Sequence, residues 1–202
     1  MPPRVPVLDL HRLESEPDSL VSDAGAAYRE FGFCGFRNHG IPDALIEQAY
    51  GVFRQFFALP ADVKAAYVSR LGGQRGYTPF GVEQARDHDI PDLKEFWHVG
   101  REVRGENPWP GILEPNEWPA EIPDFRDKAL ALYEQLDALG KRILGIIAQS
   151  LGLQADWFND KVRLGNSILR AIHYPPLPAE KTPAVRAAQH EDINLITLLI
   201  GS

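Results

Sequence analysis

The stretch Gln189-His190-Glu191-Asp192-Ile193-Asn194-Leu195-Ile196-Thr197-Leu198-Leu199-Ile200 carries the reading of this chain. Its second half is a short apolar run around one threonine, the pattern of a strand buried on both faces. Its first half places His190 and Asp192 two residues apart. On extended backbone, residues i and i+2 project from the same face. The sequence thus predicts an imidazole beside a carboxylate at the entrance to a buried strand.

Working outward, residues 167–173 read as a second strand, and residues 175–183 are a proline-rich connection between the two. Before them, Phe125, Leu132, Leu136, Leu139, Ile143 and Ile147 recur at helical spacing, which predicts one long helix over about 124–151 with Gly152 as its cap. At 1.5 Å per residue it would be roughly 40 Å long. A short helix is expected around 155–158. Residues 69–123 are rich in Gly, Pro and charge and read as loops with short strands. The N-terminal part supplies a strand over 5–10 and a helix stopped by Gly32. An apolar strand over 33–36 and a turn at Asn38-His39-Gly40 come next, then a second helix ended by Pro60. The expected class is α+β. Residues 1–120 form a region of strands, two helices and loops. Residues 121–202 hold a long backing helix and the first strands of a core sheet. A sheet that has only begun at residue 200 reads as part of a longer gene product.

The 202 residues include 21 Lys and Arg against 28 Asp and Glu, a net charge of −7. That balance gives no general attraction to nucleic acid or an anionic membrane, and neither is expected as a partner. The 44 % hydrophobic and 24 % charged content exclude wholesale disorder. With 17 Gly and 17 Pro, an all-helical bundle is disfavoured. Cys34 is the one cysteine, so an intramolecular disulfide and a four-thiolate zinc site are both excluded. No apolar run reaches bilayer length and the first residues do not form a signal peptide, so a cytoplasmic protein is the expectation.

A neutral imidazole and a carboxylate on one face are two-thirds of the facial triad that holds Fe(II) in non-haem oxygenases, where open coordination positions take a co-substrate and dioxygen. On spacing alone, a surface turn carrying polar residues is the favoured reading of the pair. The other histidines offer little competition. His39 reads as a turn residue bonding local backbone. His173 should point to the face opposite Tyr174, away from any pocket. His98 belongs to a core or a pocket rim. His11 and His88 lie in polar segments. Gly72-Gly73-Gln74-Arg75-Gly76-Tyr77 lacks the context of a phosphate loop and reads as an active-site rim, with Arg75 and Tyr77 as substrate contacts. Asp87, Asp89 and Asp92 lack the glycine and closing glutamate of a calcium loop and read as a solvated loop.

Several motifs then fall in one order. These are Val5-Pro6-Val7-Leu8-Asp9-Leu10, Phe31-Gly32-Phe33, Asn38-His39-Gly40-Ile41, and Phe56-Phe57-Ala58-Leu59-Pro60 with Lys64. Arg75-Gly76-Tyr77, Asp92-Leu93-Lys94-Glu95-Phe96, Leu169-Arg170-Ala171-Ile172-His173-Tyr174-Pro175-Pro176 and the 189–199 stretch follow. Together, over residues 5–201, they resemble the isopenicillin N synthase-like family of Fe(II)/2-oxoglutarate-dependent dioxygenases. The resemblance implies a double-stranded β-helix, or jelly roll, backed by helices. It implies Fe(II) held by His190 and Asp192 as two of three ligands, 2-oxoglutarate as co-substrate with Tyr174 lining its pocket, dioxygen, and a small organic substrate. Two departures stand out. Ile172 occupies a position where the family usually has Asn. The family's second histidine ligand and its Arg-x-Ser carboxylate anchor fall beyond Ser202, so the C-terminal part of the barrel is missing from this sequence. The His-Glu-Asp triplet followed by Leu-Ile-Thr also resembles isopenicillin N synthase, an oxidase that uses no 2-oxoglutarate. A non-catalytic fragment serving as a binding module is the reading from another class.

Overall fold

The computed structural model describes residues 4–69, 74–84, 90–103, 105–107, 109–177 and 182–200. His88, Asp87, Asp89, Gly72 and Gly73 lie outside the described residues. The chain divides into two compact units, one of Met1–Pro42, Gln135–Gly165 and Leu198–Ser202, the other of Asp43–Glu134 and Asn166–Thr197.

In the first unit, β1 (Val7–Asp9) pairs in parallel with β2 (Gly35–Arg37). Between them run α1 (Arg12–Ser15) and α2 (Pro17–Phe31). Pro17 opens α2, where a missing N–H costs nothing, and Gly32 closes it at φ 77°, a left-handed conformation that glycine adopts without strain. Leu20, Ala24, Gly25 and Ala27 form its buried face. After β2 the chain turns at Asn38, φ 56°, whose amide donates to both Asp9 carboxylate oxygens at 2.9 Å. His39 behaves as a turn residue: its Nδ1 accepts the Ile41 N–H at 3.1 Å.

The second unit begins with α3 (Asp43–Phe57) and α4 (Ala61–Ala65). It contains one antiparallel sheet in the order β3-β4-β5, from β3 (Gly76–Thr78), β4 (Glu95–Gly100) and β5 (Ile168–His173). The central strand β4 is buried along its whole length. Its Trp97 is packed among rings, 4.5 Å from Phe56 and 5.0 Å from Phe125 by centroid, both edge-on. α5 (Phe125–Ser150) is the long helix, contributing its first residues to this unit and the rest to the other. α6 (Asn159–Val162) follows it, a few residues later than the sequence placed a short helix.

Two expectations are corrected. Residues 195–200 form no strand: Leu195 is 58 % and Leu199 88 % exposed. A strand requires a ladder partner, and among the described residues none pairs with this segment. Arg75 and Tyr77 are not rim residues. They are 1 % and 5 % exposed. The Arg75 guanidinium donates to the Glu114 carbonyl at 3.1 Å, the Gln74 carbonyl at 2.7 Å and Asn166 Oδ1 at 2.9 Å, and so braces distant segments.

Candidate metal centre

The register of the sheet separates two sets of side chains. Directly opposed residues share a face, so Glu95, Trp97 and Val99 on β4 stand with His173, Ala171 and Leu169 on β5. Phe96, His98 and Gly100 stand with Ile172, Arg170 and Ile168 on the other side. Tyr174 comes one residue after β5 and is 39 % exposed, as Ile172 is at 41 %. Its hydroxyl makes no hydrogen bond among the described residues.

Arg170 lies over the Phe96 ring at 4.5 Å and donates through Nε to His98 Nε2 at 2.6 Å. Its other arm pairs with Glu83 at 3.2 Å. Glu83 also holds Lys94 at 2.7 Å, and Lys94 holds Asp92 at 2.8 Å. Signs alternate along this chain of four, so each buried charge is answered. Asp92 is thus not part of a solvated loop; it is 2 % exposed. Burial pushes its carboxyl up, but the Lys94 ammonium and the Ala188 N–H outweigh that and hold it below the usual carboxylate range. Burial pulls Lys94 down, and the hydrogen bonds to Asp92 and Glu83 hold it above its ordinary value.

Asp92 accepts the Ala188 N–H at 3.0 Å, and the Leu93 N–H donates to the Val185 carbonyl at 2.8 Å. These bonds dock the segment that bears His190. The His190 Nδ1 lies 2.8 Å from the Ala188 carbonyl. A carbonyl only accepts, so Nδ1 carries a proton, and in the neutral ring the lone pair then belongs to Nε2. His190 Nε2 and Asp192 Oδ1 lie 3.6 Å apart. The other Asp192 oxygen, Oδ2, accepts the Thr197 hydroxyl at 2.5 Å, and Asn194 donates to the same hydroxyl oxygen at 3.0 Å. Both ring and carboxylate are about half exposed. One unprotonated nitrogen and one carboxylate oxygen, each oriented by a hydrogen bond at its other end, are a donor set suited to a divalent transition metal. Among the described residues no third His, Cys, Asp or Glu joins them. The geometry thus brings His190 and Asp192 together and places His39 and His173 elsewhere; His98 is occupied by Arg170.

The opposite face carries a group that sequence reasoning missed. Glu95, only 3 % exposed, accepts from Lys64 at 2.9 Å, from the His173 Nδ1–H at 2.7 Å and from the Tyr77 hydroxyl. The His173 ring stacks on Phe57, with centroids 5.1 Å apart. Burial raises the Glu95 pKa, and the bonds from Tyr77, Lys64 and His173 more than reverse it, leaving the carboxyl below its ordinary value. Burial, then the bond to Glu95, pushes the Tyr77 phenol far up. The only sequence signal was Lys64 and the Lys94-Glu95 pair lying in separate motifs of one ordered series.

Comparison with known proteins bears on this geometry. Residues 5–121 match the family described as non-haem dioxygenase in morphine synthesis N-terminal. The chain is 30 % identical over 191 residues to the 2-oxoglutarate-Fe(II) type oxidoreductase hxnY of Emericella nidulans, covering 90 % of this chain and 55 % of that protein. It is 31 % identical to the 2'-deoxymugineic-acid 2'-dioxygenase of Hordeum vulgare, covering 97 % and 55 %. A full-length Neurospora crassa protein, crystallised in complex with alpha-KG, superposes with a TM-score of 0.76 at 26 % identity, covering 91 % of this chain and 60 % of that one. A Caulobacter crescentus protein assigned to the 2OG-Fe(II) oxygenase family gives 0.79 at 38 % identity, covering 87 % and 58 %. The chain spans about half the length of the curated relatives it matches.

Proposed function

This chain belongs to the non-haem dioxygenase family that its residues 5–121 match, and from that premise we propose that it carries part of the active site of an Fe(II)- and 2-oxoglutarate-dependent oxygenase acting on a small organic substrate. The single observation that carries the proposal is the His190–Asp192 pair, with Nε2 and Oδ1 3.6 Å apart and each donor oriented from behind. The fold to which it would contribute is the jelly roll of such oxygenases, with β5 among its strands and α5 backing it.

His190 Nε2 and Asp192 Oδ1 are the residues that would hold the iron. Bound iron supplies the coupling of 2-oxoglutarate decarboxylation to oxidation of a C–H bond by dioxygen. The protein's own part is positional. The Ala188 carbonyl keeps the His190 proton on Nδ1, so the ligating nitrogen is never blocked by a proton while the ring stays neutral. Thr197 fixes the far oxygen of Asp192 and leaves Oδ1 to the metal. Tyr174, whose hydroxyl is uncommitted among the described residues, is the proposed donor to the co-substrate. Ile172, on the same side, offers apolar surface where the family usually has an amide. That hxnY is named for 2-oxoglutarate, and that the Neurospora crassa protein was crystallised with alpha-KG, favours the co-substrate-using reading over the oxidase and the binding module.

The test is Co(II) titration of the chain by visible absorption. Binding that weakens at least tenfold in both His190→Ala and Asp192→Ala supports the proposal. Equal binding in all three proteins would remove it. Succinate formation from 2-oxoglutarate with Fe(II), measured on the protein at its native length, tests the reaction itself.

No helix among the described residues is long and apolar enough to cross a membrane.

A further inference from the structure

We infer that Asp92 is a positioning residue for His190, acting through Ala188. This inference rests on the iron-site reading above and adds to it a control element 96 residues away in sequence from the residue it grips. The two polar groups of Ala188 are used in opposite directions. Its N–H is held by Asp92 Oδ1 at 3.0 Å, and its carbonyl holds the His190 ring at 2.8 Å. Ala188 is buried at 7 % exposure, while its neighbours Ala187 and Gln189 are exposed, so of the two docked points, Val185 and Ala188, it is the one nearer His190. Fixing the N–H fixes the residue, and with it the direction of the carbonyl that sets the imidazole tautomer. Without that direction, Nε2 could take the proton and lose its lone pair.

Asp92 is suited to this grip because it cannot swing. Its own N–H is bonded to the Glu83 carbonyl at 2.9 Å, and its second oxygen, Oδ2, is held by Lys94 at 2.8 Å. One carboxylate oxygen thus serves the ion chain and the other serves Ala188. Lys94 is itself shared with Glu83, which continues to Arg170 on β5.

A purely structural ion cluster would make Asp92 and Glu83 equivalent, since both pair with Lys94. Of the two, Asp92 is the one that accepts the Ala188 N–H. The experiment exploits that difference with Asp92→Ala, Asp92→Asn and Glu83→Gln. The readouts are the His190 tautomer, from two-bond proton–nitrogen spectra of the ring without metal, and Co(II) affinity.

The expected result is a His190 ring held with the proton on Nδ1 in the unaltered chain and in Glu83→Gln. In Asp92→Ala the two tautomers mix and Co(II) affinity drops by about 10- to 100-fold, the usual cost of losing a group behind a metal ligand. Asp92→Asn keeps the side-chain shape but not the charge that orients it. It is expected to fall between, and it carries the test if Asp92→Ala does not fold. An unchanged His190 tautomer in a folded Asp92 variant, or an equal change in Glu83→Gln, overturns the inference. If Asp92 variants shift the tautomer while His190→Ala leaves Co(II) binding unaltered, the tie to His190 stands and it is the iron-site reading that fails.

Discussion

The Glu95 carboxylate and the His173 imidazole face each other directly across β4 and β5, with Oε1 and Nδ1 2.7 Å apart. The same carboxylate takes the Lys64 ammonium, whose side chain is 12 % exposed. Glu95→Gln leaves that cation buried without a counter-charge. Breaking a buried pair in this way costs about 3–5 kcal/mol. Urea unfolding at neutral pH should show a loss of that size; a change below about 1 kcal/mol would mean that Lys64 finds water instead.

The depressed acidity of Glu95 and Asp92 fixes a pH dependence. Both carboxyls stay ionised in the folded chain at pH values where the unfolded chain, with carboxylates near roughly 4, has begun to take up protons. Their contribution is complete above that unfolded value and is lost as pH falls through the lower folded values. Stability should thus drop steeply on the acid side of about pH 4. Glu95→Gln should flatten the slope. Tyr77→Phe, which removes one donor to Glu95, should shift the loss to higher pH. Unfolding free energies measured across the acid range decide it, and parallel curves for all three proteins would contradict it.

Gly100 is where Arg75 crosses β4. A Cβ placed there would lie 1.9 Å from the guanidinium carbon. Arg75 cannot step aside without giving up Asn166 and the Glu114 carbonyl. Gly100→Ala should therefore cost about 1–3 kcal/mol, the usual penalty of overfilling a packed site. Combining it with Arg75→Met should cost less than the two single changes added together, which a denaturant double-mutant cycle will measure.

Thr197 is the tether of the proposed carboxylate ligand. Thr197→Val keeps the shape and deletes the hydroxyl that Asp192 Oδ2 accepts at 2.5 Å. Metal affinity should fall about tenfold at constant fold stability. Calorimetric titration with Co(II), paired with a thermal melt, separates the two effects.

The exposed tail residues behave as surface. Ile193 is fully exposed, so Ile193→Ser should change unfolding free energy by no more than about 0.5 kcal/mol. Phe56→Ala, at a position with no exposure, should cost about 3–5 kcal/mol. A large loss from Ile193→Ser would show that residues 193–200 do pack in solution.

The contrast between these sites marks what a sequence reveals. The long helix was legible to within a residue or two at each end, because its apolar positions repeat at 3.6 and tertiary context had nothing to override. The spacing of His190 and Asp192 suggested a common side only for extended backbone; no regular strand forms there, yet Nε2 and Oδ1 lie 3.6 Å apart. The apolar run 195–200 misled, because composition reports what could be buried while burial needs a partner strand. Arg75 and Asp92 misled in the opposite sense, and Glu95 drew no reading beyond its place in a motif. A charged residue in a Gly- and Pro-rich segment reads as solvated, and nothing local reveals that its counter-charge lies 31 residues off, as for Lys64 and Glu95, or that its hydrogen-bond partner lies 96 away, as for Asp92 and Ala188.

The alternation along β5 has a consequence for substitution. His173 answers to the buried carboxylate and Arg170 to Glu83 and His98, while Ile172 and the following Tyr174 stand on the open side. Because odd and even positions report to different neighbours, substitution at 172 and 174, on the side of the proposed pocket, leaves the ionic anchor at 173 in place. A strand wired in this way separates the positions that would set ligand preference in the proposed pocket from the one that holds the scaffold together.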